Sequence, residues 1–94
     1  MSKLKTYLEI LNQKVSYVEE LYGFKINYLP LIIEGTTVVL DRKKGKLKII
    51  EENRYLSEEE IKNLERKIIE NIEKGVIELY LTMTFGEDVG LGEG

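Results

Sequence analysis

Asp41 and Glu51 close two neighbouring hydrophobic runs, and Glu52 follows directly. Carboxylates at strand ends can gather a hard divalent cation such as magnesium, which takes one or two of them and keeps several waters. In that reading Asp41 and Glu51 are the catalytic and metal-binding pair of a hydrolase acting on nucleic acid. Between them, Arg42, Lys43, Lys44, Lys46 and Lys48 crowd one short stretch. Such cations can neutralise phosphates, the main source of non-specific affinity for nucleic acid. No aromatic residue is interleaved with them, so the stretch by itself indicates no stacking platform. Tyr80, on the last apolar run, is a lone candidate for that role. The same charges equally suit a solvated hairpin tip that resists edge-to-edge pairing.

The chain has neither cysteine nor histidine. That excludes disulfides, thiolate metal sites, thiol nucleophiles and the usual general base near neutral pH. Catalysis would have to run on carboxylates, lysines, tyrosines, hydroxyls or a bound metal. No complete constellation of these is present, so the expectation is a protein that is not an enzyme and carries no cofactor, with magnesium kept for the alternative reading.

The elements that must position these residues can be read from periodicity. Leu4, Leu8, Leu11, Val15, Val18 and Tyr22 recur four and three apart, one apolar seam of a helix over Lys3 to Tyr22. Gly23 is placed to end it. Tyr7, Ile10, Lys14, Tyr17 and Leu21 form a second seam, about 100° around the helix from the first. Lys14 suits an apolar seam because its stem can lie along it while the ammonium stays wet. Two readings stand: a broad face buried inside one domain, or one seam on the domain and the other on a partner subunit.

Phe24 to Ile33 reads as a strand with a bulge or break near Pro30, and Glu34–Gly35 as a turn. Thr36 to Leu40 and Lys46 to Glu51 are two further strands, joined by a turn with Gly45 at its positive-φ position. Ser57 and Glu60 spell a capping box, with Leu56 and Ile61 as the staple, for a second helix that stops at Gly75. Val76 to Phe85 alternates apolar and polar residues and predicts a last strand. The expected fold is α/β (α+β): a single domain over 1–85, in α-β-β-β-α-β order, with two helices and a mixed four-stranded sheet containing a three-strand meander. Residues 86–94 are expected to be a Gly-rich acidic tail.

The composition, 43% apolar and 33% charged over 94 residues, is that of a globular protein. No apolar run approaches the roughly 20 residues that span a bilayer, and the N-terminus lacks a secretory pattern. An intracellular, cytoplasmic protein with no membrane partner is expected. Abundant Lys, Glu and Ile with no alanine suit a thermophile, archaeal or viral; an AT-rich coding sequence gives a similar bias. The net charge is −3, with a basic middle and no basic residue after Lys74.

The order α-β-β-β-α-β resembles the core of the PD-(D/E)XK nucleases, and Ile49, Ile50, Glu51, Glu52 and Asn53 resemble that family's third-strand motif. The resemblance covers most of the chain as layout and a few residues as motif. Thr36 and Thr37 stand where the family carries its strand-two aspartate, and Asn53 stands where its lysine belongs. What the resemblance implies is a shared fold with a degenerate site. The α-β-β-β-α portion is also similar in order to a double-stranded-RNA-binding domain. Glu58, Glu59 and Glu60, however, occupy the place of that family's phosphate-gripping lysines.

The leading expectation is a small binding and assembly protein, a homodimer through Tyr7, Ile10, Lys14, Tyr17 and Leu21. It would meet an anionic partner such as nucleic acid through the basic hairpin. The alternatives are the metal-dependent nuclease-like protein and a viral-type inhibitor or decoy acting on a protein partner through acidic surfaces.

Overall fold

The computed structural model describes residues 3–85. In chain order they form α1 (Lys3–Tyr22), β1 (Tyr28–Pro30), β2 (Val38–Asp41), β3 (Lys46–Ile49), β4 (Arg54–Tyr55), α2 (Glu58–Glu73) and α3 (Val76–Phe85). The four strands lie in the order β1-β2-β3-β4, each pair antiparallel. The α+β class, the single small domain and the four-stranded sheet with its meander are as expected. Residues 86–94, where the acidic tail is expected, lie outside the described residues.

The core joins Leu4, Leu11 and Val15 of α1, Ile68 of α2, and Ile77 and Leu81 of α3 to one face of the sheet. That face is Leu29, Val38, Leu40, Leu47 and Ile49, the inward half of the two-residue alternation. The three helices therefore cover one side of the sheet. The residues between, Tyr28, Val39, Asp41, Lys46 and Lys48, make its outer face.

The element order is corrected in two places. Val76–Phe85 is a helix, so the order is α-β-β-β-β-α-α and the sheet is antiparallel throughout rather than mixed. Alternation and helical spacing coincide at Ile77 and Leu81, four apart, and these are the two residues α3 buries. Gly75, at φ 73°, closes α2 and lets the chain reverse into a second helix. The fourth strand is instead β4, which takes the free edge of β3 after a turn with Asn53 at φ 50°. A local antiparallel return needs less loop closure than a crossover. The layout that resembled the nuclease core is therefore not the layout of this chain.

Smaller expectations fare better. Ser57 caps α2 with the full capping box: its hydroxyl accepts from the Glu60 N–H at 3.2 Å, and Glu60 accepts from the Ser57 N–H at 2.8 Å. The first strand is shorter than Phe24 to Ile33 and ends at Pro30, where the break is expected. Just beyond it, Ile32 sits at φ 56°, a left-handed backbone that a β-branched residue rarely adopts. Asn71 of α2 pins that kink by donating to the carbonyls of Leu31 and Ile32, at 3.0 and 2.6 Å.

Candidate functional site

The outer face of the sheet gathers the chemistry. Strand register places Tyr28, Asp41 and Lys46 in one row, and Pro30, Val39, Lys48 and Tyr55 in the next. Asp41 is the one buried charged residue among those described. Its carboxylate accepts from the Tyr55 hydroxyl at 2.8 Å and from the Lys44 N–H at 3.2 Å. The Tyr55 bond holds the Asp41 carboxyl below the ordinary range, against the opposing pull of burial. The same bond raises the Tyr55 phenol.

Around the tethered Tyr55 ring stand three ammonium groups. The Nζ atoms of Lys44, Lys46 and Lys48 lie 5.9, 5.7 and 5.7 Å from its centroid. Lys48 also lies 5.4 Å from the centroid of Tyr28, so one lysine stands between two rings. Among the described residues, Lys43, Lys44, Lys46 and Lys48 make no ion pair with a carboxylate. The missing aromatics of the basic stretch thus come from β1 and β4. Nothing but strand register brings them there, which is why the sequence does not announce them. Tyr80, partly exposed on α3, lies in a shallow depression with Tyr28, Pro30 and Phe85, off the lysine cluster.

Arg42 belongs to a different structure from its neighbours. Its guanidinium turns back onto α1, donating to Asn12 Oδ1 at 2.6 Å, Ser16 Oγ at 2.8 Å and the Ile26 carbonyl at 3.1 Å. It also pairs with Glu19 at 2.6 Å, both side chains nearly buried. Burial pushes the Glu19 carboxyl up. The Ile26 N–H bond at 2.6 Å and the Arg42 guanidinium outweigh it and leave the carboxyl lowered. Arg42 is a brace between hairpin and helix, with its fork of donors engaged.

Glu51 is occupied in the same sense. Its carboxylate accepts from the Thr37 N–H at 3.0 Å and from the Thr37 and Thr36 hydroxyls at 2.6 and 3.3 Å. The Thr37 hydroxyl bond leads the lowering of its carboxyl. This lies beyond the Val38–Ile49 end of the β2–β3 ladder, whereas Asp41 sits at the Asp41–Lys46 end. The two acids are thus at opposite ends of the hairpin, and each serves the fold. Among the described residues, no three acidic side chains come together.

Neither a protein-family model, nor a curated protein, nor a solved structure matches this chain. A second open surface lies on the helices.

Along α1 the first seam is buried through Leu4, Leu11 and Val15, while the second faces out. Ile10, Tyr17 and Leu21 are 46%, 65% and 58% exposed. Tyr7 donates to the Glu73 carboxylate of α2, a bond that raises the Tyr7 phenol. Lys14 pairs with Glu78 of α3 at 2.8 Å. Between α1 and α3 runs an open groove of about 600 Å³, walled by Ile10, Tyr17, Leu21 and Leu81. On α3, Leu79 and Met83 are 59% and 62% exposed, one position around from the Glu78 and Thr82 that line the groove. A second cleft, about 710 Å³, opens beneath the hairpin between Leu8, Leu56 and Ile61, with Glu9 and Glu58 at its rim. No described helix is long and apolar enough to cross a membrane.

Proposed function

We propose that this is a non-enzymatic binding and assembly protein, which pairs with a second copy through the outward seam of α1 and presents its lysine hairpin to an anionic partner. The observation that carries the pairing is the exposure of Ile10, Tyr17 and Leu21, which wall one groove along α1. Contiguous exposed apolar surface of this kind marks an interaction site, and aromatics suit an interface core. Small domains also gain from association the core they cannot supply alone.

The spacing favours a second copy over an unrelated partner. The seam positions 10, 14, 17 and 21 are separated by four, three and four. That series reads the same in both directions. A copy of α1 laid antiparallel across a two-fold axis therefore meets it in register. Ile10 then faces Leu21 of the partner subunit, and the Lys14 stem lies along Tyr17 of the partner subunit while its ammonium stays paired with Glu78. Two-fold pairing is also the commonest form of soluble oligomer.

The test is the mass of the protein by sedimentation equilibrium, compared with a Tyr17→Glu, Leu21→Glu variant. The expected outcome is a dimer for the natural chain and a folded monomer for the variant. Both charges fall on exposed positions and should leave the fold intact. A natural chain that stays monomeric at high concentration overturns the pairing.

A further inference from the structure

The anionic partner can be given a chemical class from the outer face of the sheet. Lys44, Lys46 and Lys48 bring three positive charges to within 6 Å of one ring centre. Mutual repulsion opposes that gathering. Asp41, the buried acid of the same face, is already held by the Tyr55 hydroxyl and the Lys44 N–H. A surface that concentrates cations without ion pairs is complementary to an anion arriving from solvent. The whole chain carries a net charge of −3, so this attraction is local to the patch.

A phosphate alone would need only the lysines. The face also offers two rings. Tyr28, on the sheet edge, is 48% exposed, and the Tyr55 ring is fixed in orientation by its tether to Asp41. Lys48 stands between them, 5.4 Å from one centroid and 5.7 Å from the other. The ring centres are therefore no farther apart than the sum of those two distances, a span that a short stretch of extended strand covers. Rings at this spacing, with ammonium groups over them that make no ion pair among the described residues, meet the two requirements for holding unpaired bases and their backbone: stacking surface and charge. A base pair inside a duplex keeps its faces stacked on its neighbours, so rings on an open sheet face gain little from double helix. The helices pack on the opposite face of the sheet, so none of them covers this one.

We propose that the outer face of the sheet binds single-stranded nucleic acid without strong sequence preference, Tyr28 and Tyr55 stacking on bases and Lys44, Lys46 and Lys48 holding phosphates. Asp41 acts as a positioning residue for Tyr55. This deepens the anionic-partner half of the proposed function and uses none of the residues of the self-association seam. Measured on the Tyr17→Glu, Leu21→Glu variant as well as the natural chain, its success or failure is separate from that of the pairing.

The test is fluorescence anisotropy with a labelled oligothymidylate of about 15 nucleotides and a duplex of the same length, across a salt series. The single strand should bind at least about fivefold tighter than the duplex. Tyr28→Leu, an exposed substitution on an edge strand, should weaken single-strand binding about fivefold or more and leave duplex binding unchanged. Lys46→Gln with Lys48→Gln should reduce the slope of log affinity against log salt by about 1.4, since each phosphate contact on a single strand contributes about 0.7. Thermal melts confirm that each variant is folded. Binding of neither probe overturns the proposal. So does equal binding of both with no effect of Tyr28→Leu, because that reduces the face to a phosphate attractor. Displacement of the oligonucleotide by inorganic polyphosphate at equal phosphate concentration, as effectively as by unlabelled strand, overturns it in the same way.

Discussion

The outer face of the sheet and the outward seam of α1 are both left open by the described fold, and for opposite reasons. On the sheet face the buried carboxylate of Asp41 is satisfied by Tyr55 and Lys44. What remains is charge, three ammonium groups in water around a fixed ring. On the helix face the charges are the satisfied part, Lys14 by Glu78 and Glu73 by Tyr7. What remains is apolar area on Ile10, Tyr17 and Leu21. Charge attracts over a distance and is screened by salt, whereas apolar area acts at contact and is strengthened by many salts. The difference between them is that recognition by the two surfaces would respond oppositely to the same change of solvent.

The strongest way to break the comparison is to show that the hairpin cations are alike. Arg42→Ala removes one partner of a nearly buried pair and strands Glu19, so denaturant unfolding should report a loss of about 3 kcal/mol. Lys46→Gln, on an exposed side chain with no ion pair among the described residues, should change stability by less than about 0.5 kcal/mol. Equal effects of the two would erase the distinction between brace and free cations.

A pH series sharpens it further. The Asp41 carboxyl is lowered from its ordinary 3.8, chiefly by the Tyr55 hydroxyl, so its contribution is present above that value and lost as pH falls through the lower folded value. The Tyr55 phenol is raised from 10.0 by the same bond, so its contribution is present below 10.0 and lost as pH rises through the higher folded value. Tyr55→Phe should therefore be less stable than the natural chain by a constant margin between those limits. The margin should narrow beyond both. A margin independent of pH would show that the ring alone matters at this position.

The smallest effect concerns the scaffold that both surfaces share. Ile32 pays the left-handed penalty of a β-branched residue at φ 56°, with its side chain 40% exposed. Ile32→Asn should leave the melting temperature unchanged or raise it, because asparagine adopts that backbone more readily. A clear loss would mean that the Ile32 side chain contributes more packing than its exposure suggests.

Much of this is legible in the sequence where the signal is local. The inward seam of α1, the Ser57 capping box and the hairpin with Gly45 at φ 68° all follow from residues within one or two turns of each other. α3 is misread because a ten-residue run alternating apolar and polar residues satisfies both repeats at Ile77 and Leu81, and because β4, only two residues long, gives no periodic signal of its own. The outward seam is legible as a pattern. Its exposure is not, since that depends on α2 and α3 leaving it uncovered. The sheet site is least legible: Tyr28, Lys48 and Tyr55 meet only through the register of four strands. Arg42 looks like its lysine neighbours until Asn12, Ser16 and Glu19 are brought to it by the packing of α1.

The most direct measurement of the central claim is the absolute mass of the natural chain by light scattering, over a wide concentration range at about 0.05 M and about 1 M salt. Pairing through Ile10, Tyr17 and Leu21 predicts a dimer that persists, or tightens, at the higher salt. A monomer at both salts, or a dimer that dissolves as salt rises, would contradict it.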